Sequence, residues 1–364
     1  MTLLPPLDRF ARLTRLRSDL AETGFDALIV TDLANIRYLT GFTGSAAIVV
    51  VGRDDVVFIT DGRYRFMATD QLAEAGVDAT MVVEQPAEQM AALARRCAGA
   101  RVGFEANHVT VSRRASIESA IGCALTPTSG LVERLRRRKD AGEVARMRVA
   151  ASIAATVFAD VVSAATPATT ELQIAVAMES RMRLAGAEGP AFDTIVAAGP
   201  NGANAHAVPS ARAVGAMPVV VDFGATVDGY RSDTTRTIAT EPVGAEVAEA
   251  WAAVYAAQQA GVELLTVGRP THEIDHACRR VLAQAGLDEY FTTGTGHGVG
   301  LVIHEDPFIR RVEGPETLEV GDVVTVEPGV YLRGKFGIRI EDFYVITPTG
   351  ADRLSPAELT PLRA

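Results

Sequence analysis

The sequence predicts a two-domain α/β (α+β) protein, and three observations carry that prediction. Short apolar, β-prone runs such as ALIVT and DVVFIT alternate with helical patterns over the first 130 residues. Pro127-Thr-Ser-Gly130 then interrupts the pattern, and a basic run, RLRRRK, follows it. Beyond that run, long helical stretches alternate with paired strands. One domain is therefore placed at residues 1–130 and a second at 131–364.

Leu7, Phe10, Leu13, Leu16 and Leu20 recur at helical spacing, and Gly24 stops that helix. ALIVT is a strand. After a short loop, SAAIVVVG and DVVFIT are two more strands, with Gly-Arg-Asp-Asp between them. Helices are expected over 65–75 and 86–98, a strand over 101–105 and a helix near 112–121. The run RLRRRK reads as a solvated linker and helix entry. Asp140 and Glu143 then start a long helix reaching about residue 165, and Thr169, Thr170 and Glu171 start another that ends near Gly186. The strand TIVAAG leads into a loop, PNGANAHAVPS, that holds His206. A hairpin, helices at about 246–265 and 271–285, the stretch GTGHGVG, and strands DVVTVEPG and GIRIEDFYVIT complete the chain.

Composition removes several functions. The 35 basic and 45 acidic residues give a net charge of -10, which argues against non-specific nucleic-acid binding. Three scattered cysteines with no CxxC point to a reduced, cytoplasmic protein. The charged, proline-containing N-terminus is no signal peptide, and no run reaches the ~18 apolar residues that a membrane span requires.

The hairpin VVVDFGATVDGYRSDTTRTI poses the chemical question. With Asp228-Gly229 at its tip, Asp222 lies opposite position 235 and Asp233 is its diagonal neighbour on the same face. Such pairs sit roughly 7–8 Å apart. Two buried carboxylates there require a shared proton, an arginine or a metal between them. Elsewhere, HEIDH matches the zinc-protease pattern HExxH. However, Ile274, Cys278 and Leu282 form the apolar stripe of that helix, and His272 and His276 are expected to face solvent. The glycines of GTGHGVG do not fit GxGxxG, and no Walker motif or GxSxG elbow occurs.

His297, His304, Glu327, Arg339 and Glu341 remain. Each alone has an ordinary structural explanation. Together with the aspartate pair, they place too many carboxylates at the ends of apolar strands to be buried without cations. Four carboxylates and one imidazole suit two divalent ions such as Mn²⁺, Co²⁺ or Zn²⁺, about 3.5–4 Å apart.

This set, with its frames VDFGATVDGYRSDTTRT, GTGHGVGLVIHEDP, VVTVEPGVY and GIRIEDFYVIT, resembles the pita-bread metallopeptidases of family M24. That family includes methionine aminopeptidase, aminopeptidase P and prolidase. NIRYLTGFTGSAA and FITDGRY look like the creatinase/prolidase-type N-terminal domain of bacterial Xaa-Pro peptidases. The resemblance implies a pita-bread catalytic domain behind that smaller α/β domain. It implies Asp222, Asp233, His297, Glu327 and Glu341 as ligands of two divalent ions, Mn²⁺ first and Co²⁺ or Zn²⁺ as alternatives. Asp233 and Glu341 would bridge both ions. The implied reaction is attack of a metal-bridging hydroxide on an Xaa-Pro bond, with Glu327 shuttling the proton. His206 and His304 would hold substrate and its tetrahedral intermediate, and Arg339 would orient a ligand carboxylate. Xaa-Pro aminopeptidase is the first expectation, acting on proline-containing peptides as a homodimer, and Xaa-Pro dipeptidase is the alternative. A creatinase-like hydrolase or a non-catalytic binding protein on the same fold would be expected to lack ligands. The family loop usually reads Asn-x-Ala-x-Pro-His; here Ala205 stands where proline is common.

Overall fold

The computed structural model describes residues 4–360 and Leu362. The chain divides into two compact units, one of residues 6–136 and one from Arg137 onward that also takes in the residues up to Pro5.

The first unit is built on a six-stranded mixed sheet. Its order is Thr80–Val83, Val56–Thr60, Ile48–Gly52, Ala27–Val30, Val102–Glu105 and Thr126–Thr128. Ala27–Val30, Ile48–Gly52 and Val56–Thr60 are buried throughout. Cover on both faces is why they read as unbroken apolar runs rather than as alternating ones. The first helix, Arg9–Thr23, starts where Asp8 accepts a hydrogen bond from the Ala11 amide, and it stops at Gly24, whose φ is 73°.

Three features of this unit depart from the sequence expectation. Leu33–Thr40 is a helix, capped by Asp32 and closed by Gly41 at φ 80°, where the sequence pattern suggests a loop. Eight residues are too few to establish a period. Thr80–Val83 is an edge strand, only partly buried, so no apolar run announces it. Thr126–Thr128 also lies at an edge, where Pro127 is tolerated because a ladder hydrogen bond is dispensable there.

The solvated reading of RLRRRK is corrected. Its arginines lie mostly in the helix Leu131–Arg137. Arg136 is buried and donates to Asn35 Oδ1 at 2.8 Å. Arg137 pairs with the fully buried Asp322 at 2.8 Å, and Lys139 is buried as well.

The second unit repeats one construction: a helix pair backing an antiparallel sheet. Helices Ala141–Ser163 and Glu171–Leu184 both start at capping boxes, Asp140 with Glu143 and Thr170 with Gln173. They pack on a three-stranded sheet in which Val219–Phe223 lies between Ile195–Ala198 and Thr234–Ile238. Helices Ala245–Val262 and Thr271–Gln284 pack on a five-stranded sheet. Its order is Glu305–Ile309, Gly296–Gly298, Val323–Val326, Asp342–Thr347 and Gly350–Arg353. Strand alternation decides which residues face away from these helices. Val219, Val221 and Phe223 enter the first core, so Asp222 points to the opposite face. Val324 and Val326 enter the second core with Ile338 and Ile340, which leaves Thr325, Glu327, Arg339 and Glu341 on the other side. Among the described residues, no helix is long and apolar enough to cross a membrane.

Candidate metal centre

The hairpin forms with the expected tip. Asp228 and Gly229 have φ of 47° and 78°, as a two-residue primed turn requires, and Val227 pairs with Tyr230. Asp222 pairs with Thr235, and the ladder breaks where Asp233 stands across from Gly224. A Cβ on Gly224 would lie 1.9 Å from the Ser232 carbonyl oxygen, so only glycine permits that close approach.

Asp233, His297 and Glu341 come together in the interior, with their ligand atoms all within 4.8 Å of one another. His297 Nε2 lies 3.2 Å from Glu327 Oε1 and 3.6 Å from Asp233 Oδ2. Asp222 Oδ2 accepts from Arg339 Nη2 at 2.6 Å, while its other oxygen, Oδ1, is buried with no hydrogen-bond partner among the described residues. Against four carboxylates, this site sets two cationic groups, Arg339 and His297.

The electrostatics follow from that imbalance. Burial, then repulsion from Asp222, holds Asp233 well above the ordinary carboxylate range. Burial, then Asp233, does the same to Glu341. Burial also raises Asp222, less so because Arg339 opposes it. Burial works against charge on Glu327 too, but the hydrogen bond and charge of His297 prevail and lower its pKa. His297 is pushed up to about 9: burial disfavours its charge, and Glu327 and Asp233 outweigh burial. A site that raises two carboxyls and orphans a third oxygen suits divalent cations better than protons. The imidazole fits as well. Its Nδ1 lies 3.0 Å from the Gly298 carbonyl oxygen, so in the neutral ring Nδ1–H donates there and Nε2 presents a lone pair to the carboxylates.

Three hydroxyls that the sequence reading passed over hold this set. Thr235 donates to Glu341 Oε2 at 2.7 Å and accepts from Arg339 Nε at 3.1 Å. Thr325 donates to Glu327 Oε1 and accepts from the His297 amide, both at 3.0 Å. Tyr331 OH accepts from Arg339 Nη1 at 2.8 Å. Only position hints at two of them: Thr235 lies opposite Asp222, and Thr325 precedes Glu327 by two residues on the same strand face.

All eight residues singled out from the sequence line one cavity of about 720 Å³. His206 is exposed on its loop, which packs against the strand Phe336–Arg339. Arg339 Nη1 also donates to the Ala205 carbonyl at 3.2 Å. That contact uses a backbone oxygen, which proline would supply equally, so alanine at this position costs nothing there. The His304 ring stands edge-on to that of His297, with centroids 4.3 Å apart. Burial, then the nearby His297, lowers the His304 pKa. His272 and His276 do not line the cavity. They are half-buried rather than solvent-facing, and His276 Nε2 lies 3.1 Å from the Arg311 carbonyl oxygen.

Known proteins align with nearly all of this chain. Residues 145–348 match the model of metallopeptidase family M24, and residues 12–138 match that of the creatinase/prolidase N-terminal domain. The uncharacterized peptidase YqhT of Bacillus subtilis is 37% identical over 96% of this chain and 99% of its own. The structure of an Xaa-Pro dipeptidase from Bacillus anthracis superposes with a TM-score of 0.91 at 34% identity, covering 98% of this chain and 100% of that one. An X-Pro aminopeptidase from Thermotoga maritima superposes at 0.85 with 32% identity, covering 92% and 97%. The chain belongs to metallopeptidase family M24, with a creatinase/prolidase N-terminal domain ahead of a pita-bread catalytic domain.

Proposed function

We propose that this chain is a dinuclear-metal Xaa-Pro dipeptidase. The observation that carries the chemistry is the buried cluster of Asp233, His297 and Glu341 beside the orphaned Asp222 oxygen. Asp222, Asp233, His297, Glu327 and Glu341 would hold two divalent cations. The oxygen-rich donor set favours Mn²⁺, with Co²⁺ or Zn²⁺ as alternatives. Bound there, the cations would lower the pKa of water towards ~7 and polarise the scissile carbonyl. Glu327, kept as a carboxylate by His297, would take a proton at its Oε and return it to the proline nitrogen. That return matters because the leaving nitrogen is a tertiary amide with no proton of its own. His206 and His304, on the cavity wall, would hold the substrate and the developing oxyanion. Arg339 fixes Asp222 from behind.

The preference for dipeptides rests on two supports. The Bacillus anthracis relative bears that name. In addition, Arg310 lines the cavity, stacks at 3.9 Å over Phe308 and has no hydrogen-bond or ion-pair partner among the described residues. A free cation there would receive the carboxylate that a dipeptide presents one residue beyond the scissile bond. The second reading, removal of an N-terminal residue from longer Xaa-Pro peptides, is supported by the Thermotoga maritima relative. A panel of Xaa-Pro dipeptides against Xaa-Pro-Xaa tripeptides, with added Mn²⁺, tests the choice. A kcat/KM higher for the tripeptides would overturn the dipeptidase reading.

A further inference from the structure

The basic run that leads into the catalytic unit ends in a residue that bears on the cavity. The Lys139 side chain is 1% exposed, and its ammonium donates to Glu305 Oε1 at 2.7 Å; the Glu305 side chain is 11% exposed. A buried ammonium is costly unless paired, so such a pair marks a place where geometry is being held. The Lys139 backbone is fixed too, since its amide donates to the Gly321 carbonyl at 2.9 Å.

What the pair holds is the segment that carries His304. Glu305 is the next residue and begins the strand Glu305–Ile309, where it pairs with Gly298, one residue past His297. The loop before it turns back on the ion pair. The Gly300 amide donates to the Val302 carbonyl at 3.1 Å, and a Cβ on Gly300 would lie 2.3 Å from Glu305 Oε1 and 3.0 Å from Lys139 Cε. The His304 ring has no hydrogen bond among the described residues; its one ring contact is the edge of His297. No hydrogen bond orients the ring, so its position depends on the backbone that carries it and on the His297 contact, and that backbone adjoins the anchored Glu305.

We propose that Lys139 and Glu305 form a positioning pair that aims His304 into the cavity. The inference rests on the reading of His304 as a substrate-facing group. Misplacement of such a group by about 1 Å can cost on the order of a hundredfold in rate.

The test is a double-mutant cycle on the full, metal-loaded chain, comparing the unmodified protein, Lys139→Met, His304→Ala and the combination, with an Xaa-Pro dipeptide as substrate. Lys139→Met is expected to lower kcat/KM about ten- to a hundredfold, more through kcat than through KM, with bound metal unchanged. In the His304→Ala background it should cost nothing further. Losses that multiply, or a Lys139→Met protein with full kcat, overturn the proposal. If Lys139→Met does not fold, Lys139→Met combined with Glu305→Met removes the unpaired buried charge, and the same cycle is run on that protein. A second arm needs no turnover. In histidine-labelled protein, with His304 assigned by its loss in His304→Ala, Lys139→Met should shift the His304 ring resonances and leave those of His272 and His276 in place. Unmoved His304 resonances overturn the positioning. Failure of the assigned reaction shows instead in the assay of the unmodified protein.

Discussion

Asp233→Asn should make the metal-free protein more stable while removing most of its response to metal. Asp233 and Glu341 are held well above their ordinary pKa, by burial first and by neighbouring carboxylates second. A carboxyl whose folded-state pKa is raised stabilises the fold below its unfolded value and loses that contribution as pH climbs through the folded value. Chelated protein should therefore lose stability as pH rises above about 4 towards neutrality. Asparagine keeps the shape and removes one repelling charge, while Glu327, 3.2 Å away, keeps His297 paired. In chelator at pH 7.5, the variant should melt above the unmodified protein. Added metal reverses the order. A ligand at a hundred times its Kd stabilises by about 2.7 kcal/mol. Each kcal/mol moves the Tm of a unit of this size by roughly 2–4 °C, so Mn²⁺ should raise the unmodified Tm by about 5–11 °C. The variant should gain less than about 2 °C on the same scale. Thermal melts with and without chelator read both effects. A variant that melts lower in chelator yet keeps the full Mn²⁺ shift would refute the charge argument.

Three other perturbations probe the surroundings. A Cβ on Gly337 would lie 1.8 Å from the Gly202 carbonyl oxygen, so Gly337→Ala must push the His206 loop away. It should cost about 1–3 kcal/mol of stability, measured by denaturant unfolding, and raise KM. Arg310→Ala should raise KM for a dipeptide about ten- to a hundredfold, the worth of a charged hydrogen bond of roughly 1.5–3 kcal/mol, and should barely affect a C-terminally amidated substrate. Equal effects on both would remove the carboxylate role. His272→Ala and His276→Ala should leave metal per chain unchanged by elemental analysis; a loss in either would revive the HExxH match.

Much of this architecture is legible because burial and alternation write themselves into sequence. The Val219–Phe223 strand reads directly, and its alternation tells which side Asp222 takes. Asp228-Gly229 fixes the hairpin tip and with it the Asp222–Thr235 register. Both long-helix starts, at Asp140 and Thr170, are visible as local capping patterns. The losses come where local pattern is weak or the partner is distant. The helix Leu33–Thr40 is too short to show a period, and the edge strand Thr80–Val83 has no fully buried residue, only Val82 packing on the core. RLRRRK reads as solvated because its partners Asp322 and Glu305 lie more than 160 residues away. Thr235, Thr325 and Tyr331 carry no charge pattern, and their importance emerges only once Glu341, Glu327 and Arg339 are seen to share one face.

If the acidic cluster is a two-cation hydrolytic centre, turnover must follow its metal content. Chelated, metal-free protein titrated with Mn²⁺, with Xaa-Pro dipeptide hydrolysis followed at each addition, tests it most directly. The stripped protein should show no turnover, activity should rise until two equivalents are bound per chain, and Asp233→Ala should show neither binding nor turnover. Full turnover in the stripped protein, or in Asp233→Ala, would contradict it.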